Sequence, residues 1–178
     1  MRIVGGRWKR TRLEVPDLPG LRPTPDRVRE TLFNWLGQDL HGWRCLDAFA
    51  GTGALGLEAA SRGAAAVVMV ERDARLLRAL RATCERLGAL DIVSPRAGDG
   101  LAVLRGAAAG SLDLVFLDPP YDSGLLQPAL EAAAGALAPG GLVYAEDRQP
   151  LSAWPAALEP WRATRAGAVH AQLLRRVA

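Results

Sequence analysis

Four residues, Asp118-Pro119-Pro120-Tyr121, follow directly on the apolar run Leu114-Val115-Phe116-Leu117. A buried strand that delivers a carboxylate, two prolines and an aromatic ring to its carboxyl end places them where open α/β sheets bind ligands. The combination suits an exocyclic amine on a nucleobase, whose lone pair is delocalised into the ring. The Asp118 carboxylate and the Pro119 carbonyl can accept its two N–H bonds and help to localise that lone pair, and proline fixes the backbone so that the carbonyl is already aimed. The Tyr121 ring can stack on an extruded base, worth about 1–3 kcal/mol per base. The structural alternative is a Pro-Pro turn with a capping Asp.

A second constellation lies earlier, in Asp47-Ala48-Phe49-Ala50-Gly51-Thr52-Gly53-Ala54-Leu55-Gly56. Gly51, Gly53 and Gly56 spell GxGxxG between a strand and a helix, a turn in which a ligand can approach bare backbone at a helix N-terminus. Nicotinamide, flavin and S-adenosylmethionine enzymes all use such a turn. Glu71, which ends the next strand, could accept ribose hydroxyls in any of them, or be a solvated strand-end acid. Asp47 separates the cases: it would repel a pyrophosphate but favours the cationic ammonium and sulfonium of S-adenosylmethionine. Asp99, in Ala97-Gly98-Asp99-Gly100, could accept from an adenine amine, cap a helix, or do both.

Other elements must hold these residues. Strands are expected at Cys45–Phe49, Ala66–Glu71, Ile92–Ala97, Leu112–Leu117 and Leu142–Glu146, with helices over 54–62, 73–88, 99–108 and 124–137 between them. Nearly all-apolar strands imply burial on both faces and a parallel sheet, and successive β-α units give a doubly wound α/β fold. Residues 161–176 carry two weak strand signals without a helix between them, which predicts a terminal antiparallel hairpin. Upstream, Arg2 to Val15 reads as a short hairpin or bent strand around Gly5-Gly6. A Pro-rich connector follows, and then a helix with Thr24 as N-cap, Pro25 as first residue and its end near Gly37. Val28, Leu32, Trp35 and Leu36 form its apolar face; Arg27, Glu30, Thr31 and Asn34 form a polar stripe.

The 178 residues carry a net charge of +3 with 49% hydrophobic and 23% charged residues, which excludes a disordered chain. Residues 1–44 hold nine basic and five acidic groups, the remainder thirteen and fourteen. Arg2, Arg7, Lys9, Arg10 and Arg12 all precede the first acid, a basic arm suited to a polyanion or, more simply, a solvated hairpin. Cys45 and Cys84 lie in apolar segments and fit free thiols in a reducing compartment. No apolar run is long enough for a membrane span, and isolated His41 and His170 give no metal-ligand spacing.

Four segments carry a resemblance: Arg2-Ile3-Val4-Gly5-Gly6, Arg22 to Asn34 (RPTPDRVRETLFN), Asp47 to Gly63, and Asp118 to Tyr121. On these the chain resembles, over nearly its whole length, the RsmD-type bacterial 16S rRNA guanine-N2 methyltransferases; the second segment is the most specific. The resemblance implies a Rossmann-like, mostly parallel seven-stranded sheet with a terminal antiparallel hairpin. It also implies a boundary between a basic arm with a covering helix (1–43) and the methyltransferase domain (44–178). S-adenosylmethionine would be held by Asp47, Phe49, Gly51, Gly53, Glu71, Asp99 and Asp118, with Asp118, Pro119, Pro120 and Tyr121 at the reacting amine. Arg2, Arg7, Lys9, Arg10, Arg12, Arg22 and Arg27 would contact RNA, and the helix from Pro25 would cover the pocket. The expected partner is 16S rRNA in a 30S assembly intermediate, met by a cytoplasmic monomer without metal. Competing readings are an amino-methyltransferase of adenine N6, of another rRNA guanine or of a protein glutamine, a nicotinamide oxidoreductase, and a non-catalytic RNA-binding protein.

Overall fold

The computed structural model describes residues 1–178. Seven strands form one sheet: β1 (Arg44–Asp47), β2 (Ala66–Glu71), β3 (Val93–Ala97), β4 (Leu112–Leu117), β5 (Leu137–Asp147), β6 (Leu158–Ala166) and β7 (Val169–Arg176). Their order is β3-β2-β1-β4-β5-β7-β6. The first five are parallel, and β7 pairs antiparallel with both β5 and β6. The chain runs outward from β1 to β3 and then returns to β4, so the topological switch lies between β1 and β4. The sheet, its parallel core and its terminal hairpin are as the sequence predicts. β5 begins five residues earlier than expected, since Leu137 already pairs with Leu112 across an irregularity in register.

Side chains alternate along each strand, so the sheet has two apolar faces. Cys45, Met69, Phe116 and Tyr144 point to one face, where they meet α1 (Asp26–Leu36), α2 (Ala54–Ser61) and α3 (Ala74–Leu87). Leu46, Val70, Leu117 and Ala145 point to the other, against α4 (Gly100–Gly106) and α5 (Leu126–Ala136). The same alternation puts Asp47, Glu71, Asp118 and Glu146, at or just past the strand ends, on the α1–α3 face at the carboxyl edge.

α2 is buried on every side, because the N-terminal arm lies across it. The arm is a hairpin: Arg2 bridges Arg12, Ile3 N–H donates to the Thr11 carbonyl at 2.9 Å, and the turn runs through Arg7–Arg10. Gly5 and Gly6 lead into that turn, and the Gly6 carbonyl accepts from Lys9 N–H at 3.2 Å. The two glycines are the points where backbone presses on α2: a Cβ on Gly6, at φ +73, would stand 1.9 Å from the Ser61 carbonyl oxygen. Val4 and Gly5 N–H donate to the Glu58 carboxylate at 2.9 and 2.7 Å. Glu58 also pairs with Arg29 at 3.3 Å and Arg62 at 3.0 Å, all three buried. Ile3, Trp8 and Leu13 join the core shared with α1 and α2.

Two expectations for α1 need correction. Its N-cap is Pro25, without side-chain capping, and the helix starts at Asp26. The Thr24 hydroxyl is drawn away because it donates to Glu146 at 2.7 Å. The buried face is Val28, Arg29, Leu32, Phe33 and Leu36, with Trp35 only partly covered.

Candidate active site

A cavity of about 510 Å³ opens at the carboxyl edge of the sheet, over the switch between β1 and β4. Asp47, Phe49, Gly51, Glu71, Asp99, Asp118, Pro119, Pro120 and Tyr121 all line it. Four segments remote in sequence thus meet in one cavity. The connector Leu18–Thr24 forms the far wall, and no residue of α1 does, so the covering role expected of that helix falls to the connector. Arg27, Glu30 and Asn34 face solvent instead.

The glycine turn divides its labour. Gly51 lines the cavity at φ +56, and its N–H donates to Glu71 at 2.9 Å. Gly53 does not line it: its added Cβ would lie 2.4 Å from Leu80, and its φ of +80 turns the chain into α2. Gly56 seats α2 on the sheet, where a Cβ would meet Met69 Sδ at 2.8 Å. Its N–H donates to Asp47 at 3.0 Å, which fixes that carboxylate beneath the turn. Glu71 also accepts from Asp73 N–H at 2.8 Å, and Asp99 caps α4 by accepting from Leu101 N–H at 2.9 Å. The exposed Asp99 side chain reaches the cavity rim while it caps.

Arg22, Arg72, Arg75 and Arg148 also line the cavity, but the buried charges at the sheet edge itself are all acidic. Burial pushes the Asp47 carboxyl up to about 7; the charges of Glu71 and Glu146 act the same way, against the N–H groups of Gly56 and Phe49. Asp118 is raised well above the usual carboxylate range by burial, then by Glu146 and Asp47. Burial raises Glu146 too, against the hydroxyls of Tyr144 and Thr24. Four carboxylates at one sheet edge, none with an ion-pair partner, make a site that binds cations well. S-adenosylmethionine fits this donor set: it brings a sulfonium and an ammonium for the acids, and a ribose whose hydroxyls Glu71 can accept.

Tyr121 is half-buried, and burial raises its hydroxyl to about 12. The Arg148 guanidinium lies 5.0 Å from its ring centroid and pairs with Asp122 at 3.0 Å, so one face of the ring is taken. Arg148 lines the cavity and Glu146 lies just beside it, neither with any motif in the sequence. Both sit at the end of β5 or just past it, and only the β4–β5 pairing brings them beside Asp118. Of the basic residues expected to meet RNA, Arg2, Arg7, Lys9, Arg10, Arg12 and Arg27 are solvent-exposed away from the cavity, and Arg22 stands at its mouth. Arg2 also lies 4.0 Å from Asp26.

A family model described as Conserved hypothetical protein 95 matches residues 1–175. The ribosomal RNA small subunit methyltransferase D of Escherichia coli (strain K12) is 44% identical over 149 residues, which is 82% of this chain and 74% of that protein. Its namesake in Haemophilus influenzae is 38% identical over 152 residues, 82% and 78% of the two chains. Among solved structures, yhhF of Escherichia coli superposes with a TM-score of 0.87 at 37% identity, covering 99% of this chain and 98% of that one. An RNA methyltransferase from Salinibacter ruber, solved with S-adenosyl-L-homocysteine, shares the fold at a TM-score of 0.69 and 22% identity over 88% and 94%. The chain belongs to this family, that of the RsmD-type ribosomal RNA methyltransferases.

Proposed function

We propose that the protein transfers a methyl group from S-adenosylmethionine to the exocyclic N2 amine of a guanine in 16S rRNA, in the cytoplasm, on an assembling 30S particle. The observation that carries the reading is the placement of the Asp118–Tyr121 loop against the carboxylates Asp47 and Glu71 in one cavity. In this reading Asp47 holds the cationic amino-acid end of the cofactor, Glu71 its ribose, and Asp99 its adenine. Phe49 and the backbone at Gly51 pack beside it, and Gly53 acts by shaping the turn. When bound, the cofactor supplies an electrophilic methyl on a positively charged sulfur.

Asp118 and the Pro119 carbonyl hold the two amine N–H bonds, which aims the nitrogen lone pair along the line of transfer at about 3–3.5 Å. Pro120 stiffens the loop, and Tyr121 offers its open face to the base. As the N–C bond forms, Asp118 balances the positive charge on nitrogen and takes the proton that leaves. Its raised affinity for protons makes it a better acceptor than an exposed carboxylate. Water is kept from the pair by the Leu18–Thr24 wall. Residues 1–43 act as the RNA-binding extension through Arg2, Arg7, Lys9, Arg10, Arg12, Arg22 and Arg27, and 44–178 as the transfer domain of a monomer. The base must leave its stack to reach Asp118, at a cost of a few kcal/mol.

Nucleoside mapping of 16S rRNA by mass spectrometry, from a strain lacking the protein, tests this. The expected outcome is loss of one N2-methylguanosine, restored by the wild-type chain and not by Asp118→Ala. An unchanged rRNA pattern would exclude the reading.

A further inference from the structure

Beside the main cavity lies a smaller one of about 200 Å³, and the two share Arg22, Pro23, Tyr121 and Arg148 as walls. Glu146 lines the smaller cavity and is only 3% exposed. Its Oε1 accepts two hydroxyls, Thr24 at 2.7 Å and Tyr144 at 2.6 Å. Oε2 accepts no side-chain donor. Since no sealed side-chain oxygen lacks a partner, Oε2 is open to the cavity. Leu117 pairs with Ala145, so Asp118 and Glu146 are the next residues along adjacent parallel strands, on one face and about 4.8 Å apart in backbone spacing.

We infer that Glu146 is the specificity-determining residue for the accepting base, and that its free Oε2 accepts the N1–H of the guanine whose N2 amine Asp118 holds. The inference rests on the transfer reading above and adds what selects the base. Guanine alone among the common bases sets an N–H beside its exocyclic amine on the Watson–Crick edge. The N1 and N2 groups are donors; Asp118 and the Pro119 carbonyl, on the larger cavity, and Glu146, on the smaller one beside it, are acceptors. Adenine and cytosine put a ring-nitrogen lone pair beside the amine, which the Glu146 carboxylate repels; discrimination comes from that mismatch as much as from the match. The two hydroxyls hold Glu146 in one orientation, and Thr24 ties this base-reading group to the connector over the cofactor cavity.

The test uses 30S particles reconstituted with 16S rRNA carrying either guanine or 2-aminopurine at the methylated position. 2-Aminopurine keeps the N2 amine and lacks the N1 proton. Wild-type protein should prefer guanine by about tenfold to a hundredfold in kcat/KM, the value of one charge-assisted hydrogen bond. Glu146→Gln should shrink that preference to within about threefold, because its amide can donate to the bare N1. Glu146→Asp, which withdraws the carboxylate by one carbon, should shrink it too and covers the case in which the amide variant fails to fold. Equal use of both RNAs by the wild type overturns the inference. So does an equal loss on both in the variants, the mark of a purely structural glutamate. No transfer to either RNA by wild type removes the transfer reading and this inference with it.

Discussion

Asp47 is a buried carboxylate that costs stability, and its proposed role is in binding. Its carboxyl is raised to about 7, so between about pH 4 and 7 the folded chain holds a proton that the unfolded chain has released. Asp47's contribution to the stability of the ligand-free protein therefore falls as pH rises through that window and changes no further above it. Asp47→Asn should raise the melting temperature at pH 8, yet weaken S-adenosylmethionine binding by roughly tenfold or more. Wild-type affinity should rise with pH up to about 7, with proton release seen by calorimetry in buffers of different ionisation enthalpy. A pH-independent wild-type affinity would contradict the assignment. Asp118 should separate differently, because its proposed partner is the amine. Asp118→Ala should cut single-turnover transfer by about a hundredfold or more while cofactor affinity stays within about threefold. Near-normal transfer would make the loop a structural turn.

At the scale of elements, the strands that carry Asp47, Glu71 and Asp118 are legible in the sequence because their apolar runs and flanking glycines have one physical reading, a buried parallel sheet. The placing of α1 is not. Its polar stripe looks like a lid face, but Arg29 is buried at 0% exposure, reaching the Arg2 carbonyl at 2.8 Å and Glu58. That pairing turns the helix toward the arm. A helical arginine carries no sequence mark of burial, and Thr24 reads as a cap until Glu146 arrives from 122 residues away. Glu146 itself is invisible for the same reason: its meaning comes from strand pairing. The glycines of the arm give a direct check. Gly6→Ala meets both a positive φ and the Ser61 carbonyl, and should cost about 2–4 kcal/mol, a fall in melting temperature of roughly 4–16 °C. Gly88→Ala, at φ +62 and ψ +37 in the ordinary left-handed region and in open space, should cost no more than about 2 kcal/mol. Equal costs at the two positions would mean that the arm is not pressed on α2.

For the whole molecule, the charge is divided in space as it is in sequence. Carboxylates gather inside the cavity, while exposed guanidinium groups stand on the arm turn, on α1 and at the mouth. Such a division draws a cationic cofactor inward and a polyanion to the surface. Replacing Arg2, Arg7, Lys9, Arg10 and Arg12 with Gln should reduce the log–log salt slope of RNA binding by about 0.7–0.9 for each phosphate the arm neutralises, so roughly two units for three phosphates. Cofactor affinity should not change, and an unchanged slope would make the arm a solvated hairpin.

The central claim, transfer from a cationic cofactor to a guanine amine held by Asp118, is tested most directly by one assay. Purified protein is incubated with methyl-labelled S-adenosylmethionine and 30S particles lacking the modification, and the digested rRNA is resolved by nucleoside. The account predicts label in N2-methylguanosine at a single position, and none with Asp118→Ala. Label in N6-methyladenosine, or none in RNA at all, would contradict it.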